Sequence, residues 1–200
     1  MRDPDGSLVS RAKKGDKDAF GKLVKQYYEM VYGLALGVCR EREAARDIAQ
    51  EAFFKAFRQL EHFEGRSKFK TWLYRIAMNT AIDFVRRKKP VVSMDQGKDE
   101  YDEIPLEAGI ADENPNPRDL ASQSELRERI DRAIEKLSPE HRAILVLREW
   151  QQLSYEDIAE TLEIESGTVM SRLFYARKKL GEILRHEDEG IFGALSDERI

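Results

Sequence analysis

The sequence predicts an all-α protein: a three- to four-helix N-terminal bundle and a C-terminal helix-turn-helix domain, two small helical domains joined by a flexible acidic linker. Apolar residues recur at the three- and four-residue spacing of one helix face across residues 20–84, and again across residues 126–183. Between them, over residues 91–125, the spacing lapses, and ten carboxylates gather beside Pro105, Pro115 and Pro117. Charge divides at the same places. Residues 1–90 hold 20 Lys/Arg against 12 Asp/Glu, residues 91–125 hold 2 against 10, and residues 126–186 hold 11 against 11. A tail, residues 187–200, holds 1 against 5. The basic first block suits an acidic or nucleic-acid partner, although a solvated surface accounts for the charge equally well.

Each element follows from its own spacing. The first helix presents Phe20, Leu23, Val24, Tyr27, Val31, Leu34, Ala35 and Val38 on one face. The second presents Ala45, Ile48, Ala49, Ala52, Phe53, Ala56, Phe57 and Leu60, so Ile48, Ala52, Phe53 and Phe57 are expected in the core. The third runs from Phe69 through Trp72, Leu73, Ile76, Ala77 and Phe84 to the cations Arg86, Arg87, Lys88 and Lys89, and Pro90 stops it. Residues 91–125 bury too little apolar surface to offset ordering, so a tether is expected there. Helix resumes at Leu126, Ile130, Ala133, Ile134 and Leu137, and Ser138-Pro139 restarts the chain as cap and first helical residue. The helix that follows buries Ile144, Leu145, Leu147 and Trp150.

The sharpest local pattern lies at residues 154–180. Ser154 with Asp157 three residues on opens a short helix with Ile158, Ala159 and Leu162 inward. A break at residues 163–165 follows, and Ser166 is expected to cap a longer helix burying Val169, Leu173, Ala176, Leu180 and Ile183. Short helix, tight turn and long helix make a helix-turn-helix. If those residues face inward, then Thr168, Ser171, Arg172 and Tyr175 face outward near the N-terminal half, with Arg177, Lys178 and Lys179 further on. Hydroxyls and a guanidinium suit base edges in a major groove, and the cations suit phosphates. A helical hairpin with a solvated basic face has the same pattern.

Composition excludes several classes. One cysteine, Cys39, rules out an internal disulfide framework, and its place on an apolar face reads as a small core residue. No apolar run approaches the roughly 18 residues of a membrane span. The N-terminal residues lack an apolar signal-peptide core, so a soluble cytoplasmic protein is expected, without membrane insertion. His62, His141 and His186 are scattered, and there is no phosphate-binding glycine loop, metal-ligand cluster or nucleophile motif. Neither catalysis nor a cofactor is expected.

Residues 47–57 (DIAQEAFFKAF) and 69–79 (FKTWLYRIAMN) resemble the N-terminal domain of bacterial extracytoplasmic-function sigma factors, members of the sigma-70 family. Residues 153–159 (LSYEDIA) and 167–173 (GTVMSRL) resemble their C-terminal promoter-binding domain. The likeness spans about residues 7–185, and two motif blocks in the right order make it far more specific than the helix-turn-helix alone.

The resemblance implies a factor that binds core RNA polymerase, directs it to −35 and −10 promoter elements, and promotes melting. It implies a domain over residues 7–90 that binds the polymerase and the −10 element, and one over residues 126–186 that binds the −35 element. Asp47, Gln50, Glu51, Phe54 and Lys55 would meet the clamp helices of the largest polymerase subunit, and the C-terminal domain the polymerase flap. An outward Phe54 among polar residues fits such an interface, although packing within its own domain fits the same spacing. The loop at residues 61–68 and the helix after it would hold a flipped −10 base through Phe63, Lys68, Trp72 and Asn79, with Trp72 equally in phase with the core. Arg75, Arg86, Arg87 and Lys88, with Lys89, would hold phosphates. Ser166, Thr168, Ser171, Arg172, Tyr175, Lys178 and Lys179 would meet the −35 duplex. The resemblance further implies an anti-sigma factor that masks these surfaces, and a linker that runs through the polymerase's RNA channel.

The chain departs from the usual pattern in four places. Glu163 stands where glycine often ends the first helix of the motif, and Glu165 adds negative charge beside the DNA face. Met170 and Tyr175 replace residues that are often basic, which leaves the −35 preference open. A stand-alone helix-turn-helix regulator and a helical interaction protein that ignores DNA remain as rival readings of the pattern.

Overall fold

The computed structural model describes residues 3–88 and 119–197, with side chains over residues 3–88 and 126–186. Every regular element among the described residues is helical. The N-terminal unit contains α1 (Gly6–Lys13), α2 (Lys17–Cys39), α3 (Arg42–Gln59) and α4 (Phe69–Lys88), with a 3-10 turn at Leu60–His62. Gly15, at φ +91°, turns the chain into α2, where the Asp16 carboxylate accepts from the Ala19 amide at 3.0 Å. Helices α2, α3 and α4 pack around Leu23, Leu34, Ile48, Leu73 and Met78, all fully buried. Burying each such side chain contributes about 1.5–3 kcal/mol, more than any local propensity in these helices. The cations Arg86, Arg87 and Lys88 close α4, where the helix dipole favours positive charge.

The C-terminal unit contains α5 (Asp119–Glu135), α6 (Pro139–Leu145), α7 (Tyr155–Leu162) and α8 (Ser166–Asp197), with a π-helical turn at Val146–Trp150 between α6 and α7. Two of the three expected caps form. The Ser138 hydroxyl accepts from the His141 amide at 3.2 Å, and the Ser154 hydroxyl accepts from the Asp157 amide at 3.1 Å. Glu163 adopts the left-handed conformation, φ 55°, that glycine usually supplies at a helix end.

Five expectations change. Phe57 is 44% exposed, resting edge-on against Phe20 at 5.0 Å, because it lies at the rim of the α3 face. Trp150 is 54% exposed, since the π turn inserts an extra residue and rotates it off the α6 face. Helix α5 begins at Asp119, so the last part of the expected linker is helical, and residues 89–118 lie outside the described ones. The Val169 amide bonds to the Glu165 carbonyl, so Glu165 holds the capping position and Ser166, the expected cap, is the first helical residue of α8. Finally, α8 continues through the expected tail as far as Asp197.

The two units share a core. Helix α6 packs on α2 and α4, and α7 packs on α4. Gly37 makes this possible: a Cβ there would stand 2.7 Å from Val146 Cγ2, so only glycine allows α2 so close. Beside it, the buried Arg142 guanidinium donates to the Val38 carbonyl at 2.6 Å and to the Leu137 carbonyl at 3.1 Å. Burial holds Arg142 below the usual arginine pKa. No helix among the described residues is long and apolar enough to cross a membrane.

Candidate nucleic-acid interface

Helix α3 buries Ile48, Ala49, Ala52, Phe53 and Ala56, which leaves Asp47, Gln50, Glu51 and Phe54 on its outer side around one shallow recess. Phe54 is 56% exposed, with the Arg58 guanidinium 5.8 Å from its ring centroid. An exposed aromatic ringed by carboxylates and an amide is a feature of protein–protein anchors. Lys55 joins this group to α4, its ammonium 3.7 Å from Glu51 and 3.3 Å from the Thr80 hydroxyl.

The loop at residues 61–68 leads into α4 through Gly65, at φ +73°. Its aromatic does not stand free. Phe63 and Trp72 are buried, with ring centroids 5.0 Å apart, and Phe69 packs against both at 6.1 Å and 5.7 Å. The two aromatics expected at a flipped base thus form the floor of the loop in this conformation. Lys68 and Asn79 are exposed. Arg75 pairs with Glu163 at 2.9 Å, and Arg86 donates through Nε to Glu140 at 2.9 Å. Lys88 pairs with Glu41, while Arg87 donates to the Asp83 carbonyl at 3.2 Å.

On α8, Val169, Leu173 and Ala176 are buried, so the opposite side is turned outward as the spacing requires. Ser166, Lys178 and Lys179 are exposed, and Thr168, Ser171, Arg172 and Tyr175 are half-buried. Ser171 donates back to the Gly167 and Thr168 carbonyls, Tyr175 packs edge-on against Phe174, and Lys179 lies 3.8 Å from Glu182. Arg177 reaches Glu149 at 2.6 Å.

The units bring the two candidate DNA faces together. Asn79, Asp83 and Arg86 of α4 line one cleft with Glu140, Leu162 and Arg172 of the other unit. The counter-charges are Glu140 and Glu163. Burial opposes ionisation of Glu140, but its own backbone amide and the Arg86 guanidinium outweigh it and hold the carboxyl below the usual glutamate pKa. Tyr74 donates to Gln151 at 3.0 Å across the same boundary, and burial with the Asp157 charge pushes its hydroxyl to about 12. Sequence spacing did not single out Gly37, Glu140 or Arg142, because periodicity shows that a face is covered and not what covers it.

Among the described residues no three His, Cys, Asp or Glu side chains converge as metal ligands. Cys39 is half-buried, its thiol pKa raised by burial.

Family models match both units: Sigma-70 region 2 over residues 23–91 and Sigma-70 region 4 over residues 127–180. RNA polymerase sigma-H factor of Pseudomonas aeruginosa is 37% identical over 92% of this chain and 95% of its own. The ECF RNA polymerase sigma-E factor of Escherichia coli K12 is 40% identical over 88% of this chain and 92% of its own. In fold, the chain matches the sigma factor RpoE of Bartonella quintana, solved with the anti-sigma factor NepR, at a TM-score of 0.56 and 23% identity. That match covers 83% of this chain and 96% of that one.

Proposed function

The chain belongs to the extracytoplasmic-function group of the sigma-70 family, and we propose that its outer α3 face docks on core RNA polymerase while α4 and α8 read the −10 and −35 elements. It is an alternative sigma factor that directs RNA polymerase to promoters. It acts in the cytoplasm, where the polymerase is, as a recognition subunit without chemistry of its own.

One observation carries this division of labour. The α3 face is open, with Phe54 more than half exposed, whereas Asn79, Arg86 and Arg172 share one cleft between the units. A chain so arranged meets a protein first and DNA second. Docking through Asp47, Gln50, Glu51 and Phe54, with Lys55 bracing α3 on α4, leaves both units tethered to the polymerase. Separation then frees Arg75 from Glu163 and Arg86 from Glu140 for phosphates. Asn79 both donates and accepts, which suits the edge of an unpaired base. Phe63 and Trp72 form the floor of that pocket, against which the captured base stacks, worth about 1–3 kcal/mol per base. Arg87 and Lys88 extend the phosphate track, and on α8 the groove-facing set is Ser166, Thr168, Ser171, Arg172 and Tyr175, followed by Lys178 and Lys179. Residues 7–90 and 126–186 are the working domains, joined by the acidic linker.

Since the Bartonella quintana RpoE is solved with an anti-sigma factor, we extend such an antagonist to this chain, covering the α3 face and holding the units together. The test is run-off transcription from fragmented genomic DNA, with core polymerase alone and with this chain added. Discrete new transcripts with a shared upstream sequence are expected. If a control sigma factor fires the same core and this folded chain yields none, the reading fails in favour of a stand-alone regulator, which would bind duplex tightly alone.

A further inference from the structure

Helix α4 starts without a cap of its own. The Trp72 amide bonds to the Lys68 carbonyl at 3.1 Å, which makes Lys68 the capping position, and a lysine side chain accepts no hydrogen bond. The Phe69 amide is instead satisfied by the Asp3 carboxylate, at 2.8 Å, from a segment 66 residues earlier. A carboxylate there also meets the positive end of the helix dipole.

Asp3 is held in place in turn. Its other oxygen accepts from the Asp5 amide at 3.1 Å, and its carbonyl accepts from the Gly6 amide at 3.1 Å. The Asp5 carboxylate is buried, accepting from the Tyr27 hydroxyl and from Gln26 Nε2 at 2.9 Å. The Tyr27 ring lies 5.9 Å from Phe69. From the end of α1, the Lys13 ammonium donates to the Phe63 carbonyl at 2.8 Å. Residues 3–13 therefore grip the loop at residues 61–68 on both sides, at its aromatic and at the start of α4.

We propose that Asp3, with Lys13, is a positioning residue for −10 base capture: it fixes the loop and the first turn of α4 in the geometry from which Phe63, Lys68 and Asn79 hold the unpaired base. The inference rests on the reading of that loop as the −10 site. It separates Asp3 from the core-docking function, because nothing in the contact involves α3.

The test uses full-length chain with core polymerase on a promoter recovered by run-off transcription with the wild type. Permanganate reactivity of −10 thymines reports opening, and core affinity and thermal midpoint are measured beside it. Asp3→Ala is expected to lower the opened fraction roughly fivefold, the scale of one lost helix cap, with core affinity unchanged. Asp3→Asn, which keeps an acceptor oxygen, should stay within about twofold of wild type, since asparagine and aspartate cap about equally well. Lys13→Met should lower opening less than Asp3→Ala and also spare core affinity. Equal opening by Asp3→Ala and wild type overturns the inference, as does a parallel fall in core affinity and opening, which would mark a structural role alone. A wild type that opens no promoter overturns the inference together with the reading beneath it.

Discussion

The outer side of α3 and the facing sides of α4 and α8 differ in what satisfies them. On α3, an aromatic stands in water with carboxylates around it, and nothing among the described residues covers it. Between the units, the cations proposed to hold phosphate have acidic stand-ins from the same chain: Glu163 for Arg75 and Glu140 for Arg86. The stand-ins are weak. Half-exposed ion pairs are worth about 0–1 kcal/mol each and fade with salt, so several phosphates displace them readily. What holds the units together is packing at Gly37 and Val146 and the buried Arg142. The proposed DNA faces are thus covered cheaply, and nothing among the described residues covers the proposed polymerase-binding face.

The largest effects are expected on α3. Phe54→Ala should weaken core binding by about 3 kcal/mol, the scale of an interface anchor, with thermal stability nearly unchanged. Glu51→Arg should act in the same direction, and a core pull-down that finds both equal to wild type removes α3 from the interface. On the DNA side, Arg172→Ala should cost about 2 kcal/mol of −35 binding by holoenzyme, read by promoter-duplex titration, while core affinity stays put. Asn79→Ala should instead impair opening more than core binding.

Separating the units has an intermediate effect. Gly37→Leu overpacks against Val146 and should destabilise closure by about 1–2 kcal/mol. Small-angle scattering should then show an expanded free chain, and its binding to promoter duplex without polymerase should rise. The smallest effect is electrostatic. Glu140 titrates below the ordinary glutamate value in the folded chain, so its pairing with Arg86 contributes at neutral pH and is lost as pH falls through that lowered pKa, beneath about 4.5. A double-mutant cycle of Arg86→Ala with Glu140→Ala should return less than ~1 kcal/mol of coupling at pH 7, and none at high salt.

Much of this was legible in the sequence. Apolar spacing found α2, α3 and α4, and Ser138 and Ser154 marked the helix starts that the structure caps. Phe54 stood out because it broke an otherwise polar face. Other features were hidden for physical reasons. The eight-residue α1 offers too few turns for its spacing to register. Trp150 was misassigned because a π turn shifts helical phase without a sequence mark. Asp3 and Arg142 act through contacts 66 and 104 residues away in sequence, where local patterns carry no information. Phe63 and Trp72 suit both a floor and a stacking surface, and apolar aromatic character alone does not separate the two.

The free chain, with α4 and α8 facing one cleft, is expected to open on the polymerase. Fluorescence transfer between dyes at Glu64→Cys and Glu160→Cys, in a Cys39→Ala background, measures this. One high-transfer population in the free chain, falling on addition of core polymerase, is the predicted result. Low transfer in the free chain, unchanged by core, would contradict it.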